Sequence, residues 1–225
     1  MNPTLLRRIV AEFVGTAGLL MAVVGSGIMA ERLAGGNLAI ALLANTLATG
    51  AALIALILTF GPISGAHFNP AVSISEAVNG GIAWPAATLY SIAQICGGVL
   101  GVGVANLMFD LPVYFASTKM RSGPSQWLGE FVATFGLIGV IAACSRLQKQ
   151  IVIPFAVAAY ITAAYWFTSS TSFANPAVTI ARSLSDTFTG IRPADAPAFI
   201  AAEALGAFAA TIFFRWLVTS GEAEK

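Results

Sequence analysis

Gly61-Pro62-Ile63-Ser64-Gly65-Ala66-His67-Phe68-Asn69-Pro70-Ala71-Val72 is the stretch on which the fold turns. It follows a long apolar run, yet Gly61, Pro62 and Gly65 interrupt it, and a helical pattern resumes only after Asn69, lasting to about Asn79. Asn is a natural N-cap, and Pro is favoured at the first helical position because its missing N–H would be unpaired there anyway. Ser169-Ser170-Thr171-Ser172-Phe173-Ala174-Asn175-Pro176, with a helical continuation to about Thr187, repeats the arrangement. Both stretches are too short and interrupted to span a bilayer and too apolar for solvated loops, so both read as re-entrant half-helices. Non-helical backbone at membrane depth is tolerated only where it is buried in protein or lines a water-filled cavity, so the pair implies a pore.

The surrounding sequence supplies the membrane helices. Of 225 residues, 57% are hydrophobic and 9% charged, against roughly 25% charged in a soluble domain. Mean hydropathy is +0.83. Six apolar runs, near 9–30, 37–60, 86–109, 126–146, 151–169 and 197–218, approach the roughly 20 residues needed to cross about 30 Å of hydrocarbon. The first run lacks the short core and cleavage site of a signal peptide and reads as a retained helix. Ala11-Glu12-Phe13-Val14-Gly15-Thr16 recurs as Gly129-Glu130-Phe131-Val132-Ala133-Thr134, and Ala93-Gln94 as Ala202-Glu203. Each copy holds three spans, and an odd number makes the repeat inverted. The expected organisation is one channel domain over 1–225: repeat one to about 110, a connecting loop at about 111–124, and repeat two from about 125.

Arg7, Arg8, Arg146, Lys149, Arg215 and Lys225 fall on the side of the termini, and Arg32, Lys119, Arg121 and Arg192 fall opposite, which orients both termini to the cytoplasm. Gly97 with Gly101 and Gly206 with Ala210 have small-xxx-small spacing, which either permits close helix approach or reflects the abundance of Gly and Ala here. A net charge of +1 without a basic tract excludes nucleic acid as a partner. Cys96 and Cys144 lie in apolar runs and His67 is the only histidine, so no disulfide, metal or cofactor is expected. No nucleophile, base and orienting group can be assembled, so the chain does not read as an enzyme. Glu12 and Glu130, carboxylates inside spans, invite a proton-relay reading, but their symmetric placement argues against it. His67 suits pore lining and loop support equally.

Two Asn-Pro-Ala boxes, at Asn69, Pro70, Ala71 and at Asn175, Pro176, Ala177, carried in inverted repeats, give the sequence a resemblance to the aquaporin, or major intrinsic protein, superfamily over almost its whole length. The resemblance implies an all-α membrane protein with six transmembrane helices and two half-helices meeting at the midplane. It implies that the Asn69 and Asn175 amides donate to the solute. The carbonyls of Gly65, Ala66, His67, Phe68, Thr171, Ser172, Phe173 and Ala174 would form an acceptor ladder, and Glu12 and Glu130 would brace the loops. It also implies a homotetramer with a pore in each subunit. Facing helix N-termini concentrate roughly half a positive charge each at one point, which repels cations.

Counting from the asparagines as that family does puts the selectivity filter at Thr49, Ala163, Ser172 and Val178. None is aromatic or charged, and Val178 stands where the family usually carries arginine, whose fixed donors and charge Val lacks. The expected opening is wider and suits neutral polyols or hydroxides. Arg182, one turn beyond Val178, is a candidate for the outer vestibule; the competing reading pairs it with Asp186 or lets it snorkel to headgroups. With Ala-Asn-Pro-Ala-Val-Thr-Ile-Ala-Arg-Ser at 174–183, the sequence resembles a divergent bacterial branch associated with arsenic resistance. That resemblance implies a channel in the inner (plasma) membrane for arsenite, which is a neutral trihydroxide at physiological pH, for methylated arsenicals and glycerol-like polyols, and for some water. The rival readings are an ordinary water channel and an inverted-repeat secondary transporter, which would need a coupling-ion site that the spans do not supply.

Overall fold

Asparagine and proline set most of the helix starts. In the structure, a computed structural model that describes residues 3–146 and 150–218, α1 covers Leu5–Leu33, α2 Leu38–Ser64, α3 Pro70–Val78 and α4 Trp84–Met108. The second half holds α5 Pro124–Arg146, α6 Ile153–Phe167, α7 Pro176–Arg182 and α8 Ala196–Val218. Asn37 caps α2, Asn69 caps α3 and Asn175 caps α7, each accepting from backbone N–H groups of the first turn. Lys149 and Lys225, two of the charges used to orient the chain, lie outside the described residues.

Among the described residues five helices, α1, α2, α4, α5 and α8, are long and apolar enough to cross a membrane. The run expected at 151–169 forms α6, whose 15 residues rise about 22 Å; the 3-10 turn Gln150–Val152 extends its start. In the first half α1 packs on α4 and α2, in the second α5 packs on α8 and α6, and α2 meets α6 between the halves. The glycine spacing marks real close approaches. A Cβ on Gly97 would sit 2.2 Å from the Phe13 carbonyl oxygen, one on Gly101 2.3 Å from that of Ala17, and one on Gly206 2.4 Å from that of Phe131. Helix backbones touch there, as small residues allow.

The half-helices α3 and α7 are both wedged between α4 and α8. The connecting segment 109–123 folds back over the end of α7: Phe115 N–H donates to the Leu184 carbonyl (3.0 Å), Ser117 N–H to Ser183 (3.0 Å), and Arg192 N–H to Lys119 (2.8 Å).

Candidate functional site

The loop before each half-helix is held in a conformation that few side chains adopt unaided. Gly65, Ala66 and Phe68 have φ of 91°, 50° and 50°, and Thr171, Ser172 and Ala174 have 64°, 51° and 49°. Five non-glycine residues in the left-handed region cost on the order of 1 kcal/mol or more each, so surrounding contacts must impose the path.

Those contacts radiate from two buried carboxylates. Glu12 on α1 accepts from Ser64 Oγ (2.6 Å), His67 N–H (3.0 Å), Phe68 N–H (2.7 Å) and Gln94 Nε2 (2.8 Å). Glu130 on α5 accepts from Phe173 N–H (2.9 Å) and Ala174 N–H (2.7 Å). Gln94 also donates to Ser73 Oγ on α3 (3.0 Å), while its repeat partner Glu203 accepts from Thr179 Oγ1 on α7 (2.6 Å). Carboxylates bonded in this way hold the loop backbone in place.

Opposite loops are then tied to each other. Asn69 Nδ2 donates to the Ala174 carbonyl (2.7 Å) and Asn175 Nδ2 to the Phe68 carbonyl (2.8 Å), while each Oδ1 caps its own helix. An amide nitrogen carries two hydrogens, so each asparagine keeps one N–H beyond this tie. Both residues border a cavity of about 650 Å³.

The cavity wall is built from stripes four residues apart, one face of a helix each: Thr49, Leu53, Ile57 and Gly61 on α2, and Val157, Ile161 and Tyr165 on α6. Gly65, Ala66, His67, Phe68, Ser172, Phe173, Ala174 and Val178 complete the parts that the sequence singled out. His67 lies on the wall while its Nδ1 pairs with Ser73 Oγ at 3.0 Å and its ring edge meets Tyr90. From Thr49 to Pro62 the wall follows α2 for about 20 Å.

Three expectations change. Ala163 is exposed on the outer surface of α6 and borders no part of the cavity. Two positions are about 200° around a helix, so counting to 163 lands opposite the inward face that holds Ile161 and Tyr165. Tyr165 instead occupies the wall, with its hydroxyl 3.3 Å from Thr49 Oγ1. Thr171 lies outside the cavity wall, near Arg121. Arg182 neither pairs with Asp186 nor reaches solvent. It is 2% exposed, its Nε donates to the Thr189 carbonyl, and its guanidinium carbon lies 3.4 Å from the Phe173 ring centre. Asp186 is occupied by Thr118 N–H (2.9 Å) and the Ser117 and Thr118 hydroxyls.

Arg121 was not singled out for the site, yet it donates to the Ser170 carbonyl (3.1 Å), and its guanidinium carbon lies 5.0 Å from the Phe173 ring centre. Its position in a loop interrupted by Gly and Pro hid it, since nothing in the spacing says that the loop folds inward. Nearby, burial and then the charges of Arg121 and Arg182 push the Lys119 ammonium down to about 8.

The Major intrinsic protein family model matches residues 1–151. Aquaglyceroporin AqpS of Rhizobium meliloti (strain 1021) is 55% identical over 214 residues, 95% of this chain and 91% of that protein. A probable aquaporin NIP-type of Nicotiana alata is 32% identical over 65% of this chain and 54% of its own length. The X-ray structure of the aquaglyceroporin from Plasmodium falciparum matches with a TM-score of 0.72 at 19% identity, covering 94% of this chain and 96% of that one. At that identity the likeness is one of fold.

Proposed function

The chain belongs to the major intrinsic protein family, and from that premise we propose that it is a passive channel for small uncharged solutes that carry hydroxyl groups. The solutes are glycerol-like polyols, arsenite and methylated arsenicals, with some water. The observation that carries this reading is Val178: the outer end of the cavity has an apolar side chain there and no charged one. Beside it the buried Ser172 Oγ has no hydrogen-bond partner within the protein. Asn69 and Asn175 donate at the centre. The backbone carbonyls of Gly65, Ala66, His67, Phe68, Phe173 and Ala174 accept along the wall, and Glu12 and Glu130 hold the loops.

The whole chain acts as one channel domain of two repeats about the loop near 111–124. It forms a homotetramer in the inner membrane of a bacterium, with both termini cytoplasmic. The test is flux into proteoliposomes: glycerol, arsenite and methylarsenite should each enter down their gradients faster than into protein-free vesicles. Glycerol passing freely while both arsenicals are excluded removes the arsenical part. A second reading, an ordinary water channel, draws on the Tyr165 phenol crossing towards Thr49; rapid water flux with glycerol and arsenite excluded favours it.

A further inference from the structure

The outer end of the cavity can be located from chain direction. Lining residues on α2 begin at Thr49 on the side opposite the termini, and those on α6, which runs the other way, finish at Tyr165. Ser172 and Val178 reach the same end from the second loop and α7. Four side chains therefore line this end: one phenol, two aliphatic hydroxyls and one purely aliphatic group.

We propose that Tyr165 is the specificity-determining side chain of this constriction, its hydroxyl and that of Thr49 forming a hydrogen-bonding pair that a hydroxylated solute must enter and occupy as it passes. The inference rests on the channel reading above and names the residue that sets its selectivity. The Tyr165 side chain is buried and belongs to the cavity-facing stripe with Val157 and Ile161. Its contact with Thr49 Oγ1 is 3.3 Å, longer than the 2.7–2.8 Å typical of O–H···O bonds, so little is lost when a solute hydroxyl inserts between them.

A phenol both donates and accepts, whereas a guanidinium only donates and carries a charge. A solute hydroxyl can bridge Tyr165 and Thr49, while Val178 on the same wall meets its carbon side. Such a site replaces lost hydration for a polyol or trihydroxide without imposing a positive charge at the mouth.

Stopped-flow permeability in proteoliposomes tests the assignment. Tyr165→Phe keeps the ring and removes one net hydrogen bond, so glycerol permeability should fall about fivefold while water changes less than about twofold. Tyr165→Ala removes the ring, and discrimination of glycerol over the longer polyol xylitol should collapse. Ala163→Trp adds bulk to the outward face and should change neither flux. An unaltered glycerol-to-water ratio in both Tyr165 variants, or a block by Ala163→Trp, overturns the proposal.

A measurement independent of flux separates this from failure of the channel reading. In a Cys96→Ser, Cys144→Ser background, Tyr165→Cys should react with the neutral reagent hydroxyethyl methanethiosulfonate from outside, and Ala163→Cys should not. The reverse pattern, or equal labelling, overturns the placement of Tyr165 on the pathway. Wild-type protein that conducts no tested solute while Tyr165→Cys labels selectively instead refutes the channel function and keeps the placement.

Discussion

Val178 and Arg182 stand one helical turn apart on α7, yet one borders the cavity and the other is sealed against Phe173. Arginine's planar cation suits an aromatic face, and the contact is worth about 2 kcal/mol when desolvated. Arg182→Ala should therefore lower thermal stability by about 2 kcal/mol while leaving cation exclusion intact; a cation leak in vesicles would make Arg182 a filter charge after all. Val178→Arg puts a guanidinium into the outer constriction beside Tyr165 and should cut glycerol permeability about tenfold, and water less, by narrowing and charging the opening. Undiminished glycerol flux would mean the constriction lies elsewhere. Lys119, on the connecting loop, is held down to about 8 from an ordinary 10.5 by burial and its cationic neighbours. The unfolded chain then binds more protons between about pH 8 and 10.5, so this group's contribution makes stability rise with pH across that window. Melting curves of wild type against Lys119→Met should show that rise in the wild type alone. At this scale the sequence revealed polar residues through repetition, as with Glu12 and Glu130, but missed Tyr165. A fixed count from Asn175 ignores which face of α6 turns inward, whereas the four-residue stripe Val157, Ile161, Tyr165 encodes it.

Between elements, the two loop braces are near copies with one chemical difference. Glu12 meets an amide donor, Gln94, whereas Glu130 has beside it a second carboxyl, Glu203. Glu203→Gln supplies the donor that the first repeat already has, so stability by thermal melting should be unchanged or higher. Loss of folded protein would show that the Glu203 carboxyl itself is required. Glu130→Leu removes the acceptor for Phe173 and Ala174 N–H, and two unpaired buried donors cost about 1–3 kcal/mol each. The second loop should then lose its path, with flux and yield falling together. The helix order, the two half-helices and the inverted repeat were legible because capping, proline placement and apolar length are local signals. The inward fold of 109–123 was not, because its bonds to Leu184, Ser183 and the 186–195 segment depend on residues far away in sequence. The glycine spacing was ambiguous for the same reason: only the partner backbones of Phe13, Ala17 and Phe131 turn small size into contact.

Across the whole molecule, helix order puts the exposed Trp84 and Trp216 at the end of the termini and the exposed Trp127 and Trp166 at the other. Paired tryptophans at both ends match the aromatic belts of a spanning protein, and the pathway runs between them. Of the carboxylates within the spans, Glu12 and Glu130 accept from loop N–H groups, and Glu203 accepts from Thr179 on α7. Glu76 borders the cavity from α3, near the inner end. Coupled transport needs an ion site that changes its exposure with the substrate, and a brace that moved would release the strained loops it holds. Solute movement should therefore be downhill only. Glycerol loaded outside proteoliposomes should enter at the same rate with an imposed proton gradient, an imposed sodium gradient, or neither, and should stop at equal concentrations. Accumulation above the outside concentration, abolished by an uncoupler, would show that the pore reading is wrong.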